Sequence, residues 1–201
     1  MKRICYLDII PDEILKYIIS LTTNKVFDLC LVNKYFNTNC KIIRITYIKS
    51  TKLIDFYLKG LVNLTSLDLS DNNIITDDGA KGLINLTFLD LYDNMKITDE
   101  GIKELINLTS LDLSYNNIIT DEGIKGLSNL TSLNLWSNKI ITNKGIKTLI
   151  NLTSLNLCFN DKITDEGIKG LTNLTSLTLC LIGKITNEVI DGLTNLKKVG
   201  Y

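Results

Sequence analysis

Leucines mark the chain at a fixed interval. Leu64, Leu86, Leu108, Leu130, Leu152, Leu174 and Leu196 stand 22 residues apart without an insertion, and Thr76, Thr98, Thr120, Thr142, Thr164 and Thr186 keep the same interval. The unit reads LTxLxLxxNxxITDxGIKxLxN, as in "LTSLDLSYNNIITDEGIKGLSN" from Leu108 to Asn129, and six whole copies cover residues 64–195. Each copy joins two hydrophobic periods. Leu111 and Leu113 alternate with Ser110, Asp112 and Ser114 at period two, which predicts a short strand with one buried face. Ile124 and Leu127, three apart, predict one apolar face of a short helix or helical turn. A single unit cannot bury its leucines alone. Neighbouring units must therefore stack, with strands paired in parallel on one side and helical turns on the other.

The polar positions obey the same interval. Asn72, Asn94, Asn116, Asn138 and Asn160 recur just after each strand, where an amide can satisfy backbone groups of the turn and of the next rung. Asp99, Glu100, Asp121, Glu122, Asp165 and Glu166 open the helical turns, the sign that a helix dipole favours, and Glu100–Lys103, Glu122–Lys125 and Glu166–Lys169 form i, i+3 pairs on a solvated face. Six "NLT" tripeptides read formally as glycosylation sequons, but equivalent positions on stacked rungs lie only ~5 Å apart, so a structural ladder is expected instead.

Counting back 22 residues from Leu64 puts Ile42, Ile45, Tyr47, Leu53 and Leu61 on the apolar positions, which predicts a degenerate first rung at 42–63. Leu196, Val199 and Tyr201 repeat the strand pattern alone, a terminal strand at 196–201. In the last full copy Ile182 replaces the asparagine and Val189 the glycine, as an exposed end would allow.

This unit resembles the leucine-rich repeat family, whose core signature is LxxLxLxxN. The resemblance implies an α/β solenoid over residues 42–201, with a curved parallel sheet on the concave side and short helices or turns on the convex side. Such proteins serve as protein–protein interaction modules. The copies differ most at positions that should point outward from the strands. One row reads Asp68, Asp90, Asp112, Asn134, Asn156, Thr178; the next reads Ser70, Tyr92, Ser114, Trp136, Cys158, Cys180; beside it stand Asp71, Asp93, Tyr115, Ser137, Phe159, Leu181, and Phe88 replaces a serine in an earlier row. Stacked carboxylates of Asp68, Asp90 and Asp112 repel one another unless water, salt or a cation relieves them. The expected partner-binding face therefore comprises Asp68, Asp90, Asp112, Tyr92, Tyr115, Trp136, Phe159 and Leu181, and suits an unknown substrate protein with a basic and an apolar segment.

Residues 1–41 share no repeat with the rest. Pro11, the only proline, can open a helix whose first turn carries Asp12 and Glu13, with Ile14, Leu15, Ile18 and Ile19 at helical spacing, and a second helix is expected from about Val26 to Phe36. "IIPDEILKYIISL" followed by "VFDLCLVNKYFN" is similar to an F-box, with Ile10 in place of the leucine before Pro11 and Glu13, Ile14, Ile18, Leu21, Val32, Lys34 and Phe36 on motif positions. That resemblance implies a contact with a Skp-type adaptor through Ile10, Pro11, Ile14, Ile18, Val32, Lys34 and Phe36. It further implies a substrate-recognition subunit of a Skp/cullin/F-box ubiquitin ligase. The alternative is a helical cap on the first rung of a free-standing repeat binder.

Charge and composition narrow the choices further. Lysine plus arginine and aspartate plus glutamate both total 22, which removes the broad argument for nucleic acid. The balance hides a split of +5 over residues 1–60 and −5 over 61–201. With no histidine and no CxxC among the five cysteines, the usual zinc spacings cannot be built, and a cysteine nucleophile would need another base. No metal, cofactor or catalytic residue is expected. Cys158 and Cys180 read as ligand-facing thiols, and free thiols fit a reducing compartment. Neither a signal-peptide core nor a membrane span is evident, so the expected location is cytoplasmic, or a host cytosol or nucleus if the source is a virus or an intracellular bacterium.

Overall fold

The computed structural model describes residues 42–44 by their backbone, then 55, 58, 59, 61–180 and 184–200. Eight three-residue strands form one sheet: β1 (Ile42–Arg44), β2 (Ser66–Asp68), β3 (Phe88–Asp90), β4 (Ser110–Asp112), β5 (Ser132–Asn134), β6 (Ser154–Asn156), β7 (Ser176–Thr178) and β8 (Lys198–Gly200). Their spatial order is their chain order, and every pair is parallel. Among the described residues six short helices run between strands: α1 (Asp77–Ala80), α2 (Asp99–Ile102), α3 (Asp121–Ile124), α4 (Asn143–Ile146), α5 (Asp165–Ile168) and α6 (Asn187–Gly192). One strand and one helical turn make a rung.

From β2 onward the register follows the leucines. Leu67 pairs with Leu89, Leu89 with Leu111, Leu111 with Leu133, Leu133 with Leu155 and Leu155 with Leu177. These leucines, together with Leu64, Leu86, Leu108, Leu130, Leu152 and Leu174 and the isoleucines Ile97, Ile119, Ile141 and Ile163, are buried in one continuous core. Burying each such side chain favours the folded rung by about 1.5–3 kcal/mol. Ile124 is the last residue of α3, and Leu127 lies in the turn beyond it, bonded through its N–H to the Ile124 carbonyl. Both are buried, so the apolar pair is real although the helix is one turn shorter than their spacing suggests.

The first rung departs from the simple count. Ile43, not Ile45, is the register partner of Leu67, an offset of 24 residues. Asp55 nevertheless bonds to Thr76 as Asp77 does to Thr98, 21 residues later. The two extra residues therefore fall between β1 and Asp55. Ile45, Tyr47, Leu53 and Tyr201 lie outside the described residues, as does all of residues 1–41.

Three polar ladders tie the rungs together. Asn94 Oδ1 accepts from the N–H groups of Lys96 and Ile97, and its Nδ2 donates to the carbonyls of Leu69 and Asn72. The amide thus reaches the preceding rung, not the next one. The "NLT" asparagines Asn85, Asn107, Asn129, Asn151 and Asn173, and Asn195 at the equivalent position of the next rung, each donate to a carbonyl of the preceding rung, which makes them the structural ladder expected.

The third ladder has a role that dipole reasoning missed. Asp77 accepts from the N–H and Oγ1 of Thr98 at 2.7 and 2.6 Å, and Asp99 and Asp121 do the same for Thr120 and Thr142. Each of those threonines caps its own helix by accepting from the N–H two residues on. Where Asn143 takes the aspartate's place, its Nδ2 donates to Thr164 Oγ1, and Thr164 makes no cap bond. The Glu–Lys pairs at 100–103, 122–125 and 166–169 are all formed on exposed side chains.

Candidate functional site

The face to consider is the outward side of the sheet, opposite the leucine core. In β2, β4, β5, β6 and β7 the central leucine is buried between two half-buried residues, as the period-two pattern requires. In β3 the serine position is taken by Phe88, which is exposed.

The carboxylate row is built into the backbone of the turn that follows each strand. Asp68 Oδ1 accepts from the N–H and Oγ of Ser70, and Asp90 Oδ1 from the N–H of Tyr92. Asp112 engages both oxygens, Oδ1 with the Ser114 N–H and Oδ2 with Asn134 Nδ2, each at 2.8 Å. Asn134 and Asn156 accept from Trp136 and Cys158 in the same way. Any residue with a short side-chain acceptor suits this position. Asp and Asn here are thus turn residues first. In the backbone register the partner of Asp68 on β1 is Arg44.

Two residues further on, the side chains become aromatic. Tyr92 and Tyr115 meet edge to face with centroids 5.7 Å apart, and Tyr115 meets Trp136 in the same manner at 5.1 Å. Tyr92 and Trp136 flank Ser114 on neighbouring rungs, so the Tyr115 ring spans the gap of two strand spacings that the small serine leaves. Ser114 belongs to the outward row but is 1% exposed, and its hydroxyl has no hydrogen-bond partner. Burial first, and then the negative charges of Asp71, Asp93 and Asp112 together with Tyr115, raise the Tyr92 phenol above its ordinary pKa.

The row beside these residues has an unusual backbone. Asp71, Asp93, Tyr115, Ser137 and Phe159 all have φ between 46° and 56°. Aspartate tolerates this left-handed region, whereas for an aromatic residue it costs about 1–2 kcal/mol. Tyr115 and Phe159 are nonetheless held there with 39% and 46% of their surface exposed. Because the residue type varies along the row, sequence gave no sign of this shared geometry beyond the invariant asparagine that follows it. Also exposed, and unnoticed in the pattern, are Val62, Ile84, Ile106 and Ile150, which precede the "NLT" asparagines.

The structure therefore brings Tyr92, Tyr115 and Trp136 into one cluster, with Phe159 on the next rung but one from Tyr115. Leu181 lies outside the described residues, as do Ile10, Pro11, Ile14, Ile18, Val32, Lys34 and Phe36. The thiol expectation needs correcting. Cys158 and Cys180 occupy the same position on adjacent rungs with Cα atoms 4.3 Å apart, and their sulfurs are bonded as a disulfide. Neighbouring strands place identical positions within reach of such a bond. Among the described residues no group of three or more His, Cys, Asp or Glu is placed to hold a metal ion, and no helix is long and apolar enough to cross a membrane.

Models of the Leucine Rich repeat match residues 61–84, 126–150 and 148–172, and a model of Leucine Rich repeats in two copies matches 84–126. Together the matches run from residue 61 to residue 172, more than half of the chain. No curated protein matches. Among solved structures, an internalin (inlF) from Listeria monocytogenes is similar at 22% identity and TM-score 0.68, over 84% of this chain and 56% of that one. Internalin C2 (inlC2) from the same organism is similar at 26% identity and TM-score 0.57, over 82% of this chain and 77% of that one. The chain thus spans little more than half the length of the first of these.

Proposed function

Because this chain belongs to the leucine-rich repeat family, we propose that it is a non-catalytic scaffold whose outward sheet face holds a partner protein. Tyr92, Tyr115, Trp136 and Phe159 are the anchors; the row of Asp68, Asp90 and Asp112, and Leu181, border them. The observation that carries this reading is the edge-to-face cluster of Tyr92, Tyr115 and Trp136 on the exposed face. Large aromatic groups supply contact area at low conformational cost, and they dominate the energetics of interfaces. Tyr115 occupies a backbone conformation that disfavours it, and strain of this kind concentrates at functional positions.

A displayed library of random peptides, selected on the full chain and rescreened on a Tyr115→Ser, Trp136→Ser variant, tests the reading. Peptides enriched on the wild type should bind the variant at least tenfold more weakly, a loss of about 1.4 kcal/mol or more. They should bind an exposed helical-side variant, Glu122→Ala, unchanged. Equal binding to the aromatic variant would refute the assignment of this face.

For residues 1–41 we infer, from the pattern of Ile10, Pro11, Ile14, Ile18, Val32, Lys34 and Phe36, contact with a Skp-type adaptor, which would make the repeats the substrate receptor of a ubiquitin ligase. A second reading has the Cys158–Cys180 bond in its favour. Disulfides persist in oxidising compartments, whereas an adaptor complex works in a reducing cytosol. In that reading residues 1–41 only cap the solenoid. Co-elution of the whole chain with a eukaryotic Skp adaptor, lost in a folded Pro11→Ala, Ile14→Asp, Val32→Asp variant, supports the ligase receptor; absence of co-elution leaves the cap.

A further inference from the structure

We propose that the aromatic cluster and the two carboxylates beside it form a subsite for one cationic side chain of the partner, an arginine. This deepens the reading of the outward face as a protein-binding surface and rests on it. The proposal moves the basic contact away from the Asp68, Asp90 and Asp112 row, because the Asp112 carboxylate already accepts from Ser114 and Asn134 and all three acids serve their own turns.

The candidate carboxylates are Asp71 and Asp93. Both are exposed, and neither side chain forms a hydrogen bond or an ion pair with a described residue. Their backbones fix them on either side of Tyr92. The Asp71 N–H donates to the Tyr92 carbonyl at 2.8 Å, and Asp93 follows Tyr92 in the chain, its N–H bonded to the Ser114 carbonyl at 3.0 Å. Both sit in the left-handed conformation, which removes backbone freedom from the pair. The Tyr92 phenol is raised above its ordinary pKa, first by burial and then by nearby charges that include Asp71 and Asp93, which is consistent with a negative field at this point.

On the next rungs the position of Asp93 is taken by Tyr115, whose ring reaches both Tyr92 and Trp136. Edge-to-face packing turns one ring's face away from its neighbour's face and leaves a surface for a flat cation. A guanidinium is planar, weakly hydrated and stacks on aromatic faces while its N–H groups reach carboxylates, a combination an ammonium cannot match. At the strand position between Tyr92 and Trp136 the Ser114 hydroxyl is buried without a partner, a polar atom that its own fold leaves unsatisfied. The paired rings, the two carboxylate residues and the unpaired serine all adjoin Tyr92 or Tyr115 in the chain or across neighbouring rungs.

Trp136 is the only tryptophan and touches Tyr115, so its emission reports the subsite directly. The full chain would be titrated with the peptide acetyl-Gly-Arg-Gly-Arg-Gly-amide and with the same peptide carrying citrulline, which keeps the shape of arginine and removes its charge. The proposal expects a saturable change in emission with the arginine peptide. Binding should be about tenfold weaker for the citrulline peptide and for an Asp71→Asn, Asp93→Asn variant, and should decline as salt rises. Asp78→Asn, on the helical side, should bind as the wild type does. Equal binding of the two peptides, with loss in Tyr115→Ser, would overturn the cation subsite while leaving the protein-binding face standing. Unchanged affinity in the double aspartate variant, or no response to the arginine peptide, would also overturn it.

Discussion

Gly145 is dictated by the rung before it. A Cβ at this position would stand 2.5 Å from Asp121 Oδ1, the atom that accepts from the Thr142 N–H, and 3.2 Å from the Asp121 backbone. Gly79, Gly101 and Gly167 face an aspartate or asparagine of the preceding rung at the same 2.5 Å. The glycine and the acid of the unit are therefore one device: the carboxylate can reach the next threonine only where no side chain blocks it. Gly126 has no such neighbour, with the Lys103 carbonyl 4.0 Å away and no positive φ. Chemical denaturation should separate the two. Gly145→Ala displaces a carboxylate from two hydrogen bonds and should cost about 2 kcal/mol or more. Gly126→Ala should be neutral or stabilising by up to about 1 kcal/mol, because it restricts the unfolded chain without a clash. The last full copy agrees with this account. Val189 stands where the others have glycine, α6 runs six residues instead of four, and Thr186 Oγ1 moves out to 3.0 Å from Asp165.

At the scale of the rung, the buried asparagines make the best comparison, because two of them differ in pairing. Asn116 makes four hydrogen bonds, accepting from Ile118 and Ile119 and donating to the carbonyls of Leu91 and Asn94. Asn160 keeps the two acceptor bonds, to the N–H groups of Lys162 and Ile163, but its Nδ2 is buried without a partner. Replacing Asn116 by alanine strands backbone groups of two rungs and should cost about 3 kcal/mol or more. Asn160→Ala strands those of one and also removes an unsatisfied donor, so its cost should be about 1–2 kcal/mol smaller, measured by the same unfolding assay. The sequence announced these asparagines by period but not the direction in which they reach. An amide after a strand can in principle serve either neighbour; the parallel register decides for the preceding one. The acids of the helical turns were misread for a related reason, since favourable placement at a helix N-terminus explains Asp99 or Asp121 equally well and conceals the bond to the following threonine.

For the molecule as a whole, what could be read in advance tracks how strictly each feature repeats. The core and the register from β2 to β8 follow from leucines at one unbroken interval, because hydrophobic burial tolerates no slip along a strand. The register of the first rung escaped because its apolar residues are degenerate, and two additional residues before Asp55 shift β1 without disturbing anything after it. The Cys158–Cys180 bond was within reach, since a separation of 22 residues means the same place on adjacent strands. The left-handed row was not, because Asp, Tyr, Ser and Phe share it without a common chemistry. Stability along the array should be graded in the same spirit. Each rung is held by its neighbours, and the middle rungs have their strand and core leucines sealed, whereas Leu196 and Val199 pack against the core only partly buried. Ile190 is likewise half-buried, although its counterpart Ile168 is fully buried. Native-state amide exchange should therefore find the N–H groups of Leu113 and Leu135, bonded to Asn134 and Asn156, among the slowest. That of Leu179, bonded to Gly200 in β8, should exchange at least about tenfold faster. The disulfide sharpens the test, because it ties β6 to β7 but leaves β8 unlinked. Reduction should speed exchange at Leu157, which bonds to Thr178 across the linked strands, and leave Leu113 unchanged. Uniform exchange along the array would mean that it opens as one cooperative unit, and the rung-by-rung account of its stability would fail.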